Sequence, residues 1–197
     1  MRFFIGTIGL AALATLMVLA IQRGAADLYA FGGRYALDRG AVVGAPDGLE
    51  KAVRLDPANP DGHEYLAKRH ESRGEYAAAL ERYRIAAKAR PAWPRVWGDI
   101  ARMKLRLGQL DGELDSAIRQ AARLGPWEPD VQLVITDIAM QSSLTGEGRR
   151  AAFSLMGNAL KRQEREVVQL ALQRGRLDVL CSIPGVGGYP RAARRCI

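Results

Sequence analysis

The sequence predicts an all-α protein in which paired antiparallel helices stack into a short solenoid behind one apolar N-terminal helix. Three observations predict it. An alanine five residues ahead of a proline recurs as Ala52/Pro57, Ala86/Pro91 and Ala121/Pro126, with steps of 34 and 35 between the prolines. A second mark, Gly74 and Gly108, repeats at the same interval of 34. Residues 3–21 (FFIGTIGLAALATLMVLAI) carry no charge at all.

With Pro60 as position 1 of a unit, Leu66 and Ala67 fall at positions 7 and 8, Gly74 at 15, Tyr76 at 17, Ala79 at 20, Tyr83 at 24, Ala86 at 27 and Pro91 at 32. The next unit opens at Pro94, with Trp97 at 4, Ile100 at 7, Ala101 at 8, Gly108 at 15 and Leu110 at 17. One extra residue near Asp111 shifts the register, and Leu114, Ile118, Ala121 and Pro126 recover positions 20, 24, 27 and 32. Small residues at 8, 20 and 27 let helix axes approach, and larger apolar residues at 4, 7, 17 and 24 fill the space between them. The proline ends the second helix, because it lacks an N–H and disfavours helix in the residue before it. Over residues 60–126 this pattern resembles the tetratricopeptide family, two-helix units of about 34 residues whose arrays present a surface to a partner.

The flanks read as divergent units around these two clear repeats. Residues 46–57 suit a second helix whose first helix is missing or irregular, and residues 129–141 suit a further first helix. SSLTGEG reads as a loop. GRRAAFSLMGNALKRQ and EREVVQLALQRGRLDVL read as two more helices, with Gly157 a weak point in the former. The expected organisation is an anchor over 1–23, a linker helix over 24–45, the helical domain over 46–182 and a Gly/Pro/Arg-rich tail over 183–197.

At ~1.5 Å per residue, the uncharged stretch reaches about 28 Å, close to a bilayer's ~30 Å hydrocarbon core. It is longer than the apolar part of a cleaved signal, about 7–15 residues. The expectation is an uncleaved single span in an inner membrane, with the helical domain exported to the periplasm. Arg2 before the span and Arg23, Arg34 and Arg39 after it give loop charge little say in orientation. Cys181 and Cys196 lie in the last 17 residues. A disulfide between them would close a loop of about 15 residues, worth ~3 kcal/mol in the chain-entropy model. Two unpaired thiols are the alternative.

Basic residues number 29 against 21 acidic ones, and two of the basic residues lie within residues 1–23. The remaining excess suits an anionic partner or a solvated basic face. No aromatic-interleaved basic motif or zinc-finger spacing points to nucleic acid. His63 and His70, seven apart, lack the spacing of a zinc-protease helix and fall at packing positions of the unit. With no nucleophile motif, phosphate loop or metal-ligand set, neither catalysis nor a cofactor is expected.

The tetratricopeptide resemblance implies that positions 2, 5, 9, 12 and 13 line a concave groove. These are Asp61, Glu64, Lys68, Glu71 and Ser72 in one unit and Arg95, Gly98, Arg102, Leu105 and Arg106 in the next. Lys68, Arg95, Arg102 and Arg106 are the candidate partner-binding residues. The arginines either meet acids such as Glu64 and Glu71 or fork onto carboxylates or phosphates of a ligand.

The layout, with the stretches LYAFGGRYALDR and LEKAVRLDPANPDGHEYLA, resembles the VpsP-type family of exopolysaccharide biosynthesis clusters. That resemblance implies a membrane-anchored scaffold beside the membrane proteins that polymerise and export polysaccharide. It supplies no catalytic residues. Two other readings stand beside it. One is a basic groove holding acidic glycan or anionic lipid directly. The other is an anchored assembly chaperone for pili, secretion or cytochromes.

Overall fold

A computed structural model describes residues 2–39, 45–141 and 144–196, with side chains from residue 9 onward except at 38, 45 and 46. The described residues are helical with no strand, and they form two compact units, Met1–Ala89 and Arg90–Ile197.

The first unit holds α1 (Arg2–Asp38), α2 (Ala45–Leu55), α3 (Pro60–Ser72) and α4 (Tyr76–Ala89). Helix α1 runs without a break through residue 23, so the apolar stretch and the expected linker helix are one rod. Its C-terminal part pairs with α2, and α3 packs on both. The first helix that residues 46–57 lacked in the sequence reading is therefore the far end of the apolar helix itself. Ala26 and Ala30 are fully covered, and Leu37 packs on the cluster of Leu49, Tyr65 and Leu66. Gly33, Ala67 and Ala101 follow one another at intervals of 34, all buried. Gly33 thus takes position 8 of a unit whose other landmarks had decayed. Asn59 ties the parts together. Its amide donates to Asp27 of α1 (2.7 Å), and its oxygen accepts from Gly62 N (2.7 Å), capping α3.

The second unit holds α5 (Pro94–Arg106), α6 (Gly112–Leu124), α7 (Pro129–Gln141), α8 (Gly146–Arg174), α9 (Leu177–Cys181), a 3-10 turn (Val186–Gly188) and α10 (Pro190–Ala193). Helices α5 and α6 form one hairpin, and α7 and α8 form the next. First helix lies on first helix (α5 on α7) and second on second (α6 on α8), as in a repeat stack. The core is Ile100, Met103, Ile118, Ile135, Met156 and Leu160 with their buried neighbours.

The turns follow the repeat marks. Gly74 and Gly108 adopt φ of +76° and +68°, the left-handed region that a side chain disfavours. The extra residue near Asp111 lengthens the second turn. Leu110, expected to pack at position 17, is instead 58 % exposed, and α6 begins only after Asp111. Gly157 does not weaken its helix. Helix α8 bends instead at Gln163 (φ −135°, ψ 41°), the join between the two stretches read from the sequence. The C-terminal segment is tied down by the Cys181–Cys196 disulfide (Cα–Cα 5.4 Å) and by Glu164, which accepts from Arg191 N and Ala192 N.

Candidate interaction site

Position 4 of the unit is normally a packing residue, and here it acts as a hydrogen-bond donor. His63 Nε2–H donates to the carbonyl of Pro57 (2.9 Å), Trp97 Nε1–H to Pro91 (2.8 Å) and Gln132 Nε2 to Pro126 (2.8 Å). Each proline that stops a second helix has its carbonyl satisfied by the first turn of the next helix. Three unlike residues serve because each places one N–H at the same reach. Gln163 extends the set, donating to Gln132 Oε1 (3.0 Å) and Pro129 O (3.3 Å) at the bend of α8. No sequence pattern scored on hydrophobicity detects this, since imidazole, indole and amide share only the N–H.

His63 is 2 % exposed. With Nε2 protonated, Nδ1 faces Arg82 Nη1 at 3.4 Å. Burial lowers its pKa from 6.5, the Pro57 hydrogen bond opposes that, and the Arg82 charge reinforces it. Its role is structural. His70 pairs instead with Glu75 across the α3–α4 turn (2.5 Å).

Lys104, 34 residues beyond His70, closes the α5–α6 turn in the same way. It is almost fully buried, and its ammonium donates to Asp111 (2.6 Å) and Glu113 (2.9 Å). Burial pulls its pKa down, but the two carboxylates outweigh burial and the net shift is upward. Asp111 is also the N-cap of α6, accepting from Glu113 N and Leu114 N.

Among the four candidate cations, Lys68 lies in the first unit and pairs with Glu64 (2.5 Å), its nitrogen 4.7 Å from the Tyr65 ring centroid. In the second unit, Arg95 reaches Asp130 (2.7 Å), which is position 2 of the following repeat. Arg102 pairs with Asp99 one turn earlier (2.6 Å). Arg106 ends α5, exposed. Three of the four therefore engage carboxylates of their own unit.

Arg102 also lines a cavity of about 330 Å³ between α5, α7 and the second half of α8. Leu133, Val134 and Leu170 supply its apolar surface. Asp137, Glu166, Gln169 and Gln173 supply polar groups. Gly98 offers bare backbone beside Val134, whose Cγ1 would lie 3.6 Å from a Cβ there. Asp137 receives two bonds from Arg174 (2.7 and 3.0 Å), which raise the guanidinium pKa. The fork holds the second half of α8 along α7. Leu133 and Asp137 are positions 5 and 9 of the unit opening at Pro129. Extending the groove register one repeat further would have found both. Leu170, beyond the bend, had no register to reveal it.

Among the described residues no group of three or more His, Cys, Asp and Glu side chains gathers as a metal site. Paired helices with periodic turns and a groove on the first-helix side define a tetratricopeptide-like helical-repeat protein, a class that typically binds proteins and performs no chemistry. One solved structure with this fold is that of Pseudomonas aeruginosa PilF, described under functional characterization. The two superpose with a TM-score of 0.60 at 19 % identity over 89 % of this chain and 88 % of that one. No family model and no curated protein matches the chain.

Proposed function

We propose that the protein is a membrane-anchored scaffold that captures a segment of a partner protein in the groove of its second unit. The observation that carries this reading is the cavity at Leu133, Val134 and Leu170, with carboxylates and arginine around an apolar surface. A groove of that make-up suits a peptide or helix with an apolar anchor and mixed charge. It suits a polyanion less well, because Arg95, Arg102 and Lys68 already face carboxylates. The anchor is the N-terminal part of α1, a helix long and apolar enough to cross a membrane, whose residues 9–24 are all exposed. The Cys181–Cys196 disulfide favours an oxidising compartment such as the periplasm, and so an inner-membrane protein with its repeats outside. The VpsP-type resemblance in LYAFGGRYALDR and LEKAVRLDPANPDGHEYLA supports the reading that the partners belong to a polysaccharide assembly or export complex.

Crosslinking pull-down of the full chain from its native membrane tests this. Recovery of glycan-polymerising or export components is expected, and recovery of pilus or cytochrome assembly factors would overturn the polysaccharide assignment. Leu133→Glu with Val134→Glu is expected to reduce capture at least tenfold with helicity unchanged. Each buried aliphatic side chain contributes about 1.5–3 kcal/mol. Capture should persist at raised salt. Capture that collapses between low and physiological salt and ignores the Leu133/Val134 change would support direct glycan or lipid binding instead.

A further inference from the structure

We infer that the protein is a parallel homodimer, joined along a seam of α1 that continues from the apolar segment into the first repeat. Leu10, Ala14, Met17, Ile21, Gly24, Leu28, Phe31 and Tyr35 follow one another at alternating steps of four and three. Within the apolar stretch every described position is exposed, and it is Gly24, Leu28, Phe31 and Tyr35 beyond it that carry the 3.5-residue period of a two-helix seam. All eight are exposed in the single chain. Ala26, Ala30 and Gly33, on the opposite side of the helix, are covered by the chain's own α2 and α3. Helix α1 therefore has one face occupied and one vacant, and the vacant face is apolar well past the uncharged stretch. The charged residues Arg23, Asp27 and Arg34 lie off the seam, which ends at Tyr35 because Asp38 takes its next position. Arg39 stacks over Tyr35 (4.1 Å) and Arg34 lies over Tyr65 (5.7 Å), each on a ring of its own chain.

A solenoid's terminal helix ordinarily presents a polar outer face. This one presents Leu28, Phe31 and Tyr35, at 73, 64 and 50 % exposure. With the end of the uncharged stretch, Ile21, set at the hydrocarbon edge, lipid does not cover them. Phe31 lies ten residues beyond Ile21, about 15 Å along the helix, and Tyr35 about 21 Å. The headgroup layer is only about 5–8 Å thick on each side. Even at a tilt of about 40°, the upper end of the usual range, Phe31 stands about 11 Å above the hydrocarbon. A second helix leaving the same bilayer in the same direction does reach them. A second copy supplies one, parallel and in register, with Phe31 opposite Phe31 and Gly24 allowing close approach.

The area agrees with a seam that needs both halves. Leu28, Phe31 and Tyr35 present roughly 300–350 Å² per copy, so two copies cover about 600–700 Å². A stable interface needs upwards of ~1,000 Å². The stretch from Leu10 to Gly24 supplies the remainder when it is embedded. In that respect the inference rests on the anchor reading above, though not on the groove.

Both native cysteines are engaged in a disulfide, so one introduced cysteine reports cleanly. Leu28→Cys, Phe31→Cys and Tyr35→Cys in the full chain, oxidised mildly in its membrane, are expected to give disulfide-linked dimers. Tyr29→Cys and Ala36→Cys, on the same turns off the seam, are expected to give at least tenfold less. Equal yields at all five positions, or monomer throughout, would overturn the inference. In detergent, light scattering should give twice the chain mass for the wild type and the single mass for Phe31→Glu with Tyr35→Glu, both with unchanged circular dichroism. A wild-type monomer there would also overturn it. Alkaline extraction of the same membranes reports the anchor separately. Release into the supernatant with the crosslinking pattern intact removes the anchor and leaves the seam standing.

Discussion

Gly148→Ala places a methyl group where Asp115 of α6 reaches the first turn of α8. The Gly148 N–H donates to Asp115 Oδ1 (2.5 Å), and Asp115 also accepts from Arg119 (2.9 Å). A Cβ at residue 148 would overlap Asp115 Oδ1 and stand 3.1 Å from its Cγ and 3.3 Å from its Cα. The carboxylate can swing away, but the backbone atom cannot, so the charge-assisted hydrogen bond is lost and some crowding remains. Overpacking costs about 1–3 kcal/mol. A hydrogen bond to a charged group contributes about 1.5–3 kcal/mol, at the lower end here because Asp115 is partly exposed. Against these, Gly→Ala inside a helix gains about 0.5–1 kcal/mol. The net is a loss of about 2–4 kcal/mol, or a Tm lower by about 5–15 °C for a chain of this size. The control is Asp115→Ala, which costs stability by itself but removes the obstruction. In that background Gly148→Ala should change stability by no more than about 1 kcal/mol in either direction. Thermal unfolding of the four proteins, followed by circular dichroism at matched pH and salt, measures the cycle. An additive cycle, with Gly148→Ala equally costly in both backgrounds, would refute the proposed contact between α6 and α8.

Three further outcomes are expected. Stability should fall as pH drops below about 6.5, because His63 is held neutral in the fold with a lowered pKa while the unfolded chain takes up the proton. The contribution is whole above the unfolded value and is lost on acidification. His63→Gln, which can donate to Pro57 as Gln132 does to Pro126, should flatten that part of the pH–Tm curve. A curve unchanged by the substitution would remove His63 as its source. Trp97→Phe keeps an aromatic ring but leaves the exposed Pro91 carbonyl to water, and a loss of about 0.5–1 kcal/mol in urea unfolding is expected, with no loss arguing that the Trp97–Pro91 bond is immaterial. Cys181→Ser with Cys196→Ser should release residues 185–196 to hydrogen exchange and lower Tm, as expected for a loop closure of about 3 kcal/mol, while exchange in α5 and α7 stays as it was.

Period and punctuation made the fold legible. Prolines at 57, 91 and 126, glycines at 74 and 108 and alanines at 52, 86 and 121 each mark a physical event: a stopped helix, a left-handed turn or a close crossing. Such events are local, so a single chain of letters records them. The weak flanking units were harder. Gly33 lay in register with Ala67 and Ala101, but an apolar stretch ahead of it drew the reading toward membrane and linker. Leu110 was misplaced because an added residue lengthens a turn without announcing which side chain leaves the core.

The groove was legible only in outline. Position counting picked out Arg95 and Arg102, but charge is partnered in three dimensions. Asp130 lies 35 residues from Arg95, and no local signal says that they meet. The apolar surface of the cavity needed Leu133 and Leu170 to converge from two helices, one of them beyond a bend that Gln163 makes without proline or glycine.

By itself, then, the sequence determined that helices form, where they stop, how often they repeat and that one of them is apolar enough for a bilayer. These properties follow from backbone dihedrals, missing N–H groups and hydrophobic period, which neighbouring residues decide. Tertiary structure alone decided that the apolar helix doubles as the first helix of the repeats, which cations are neutralised and which apolar faces are left uncovered. Burial and ion pairing depend on distances between segments far apart in the chain, and only the packed structure supplies those distances.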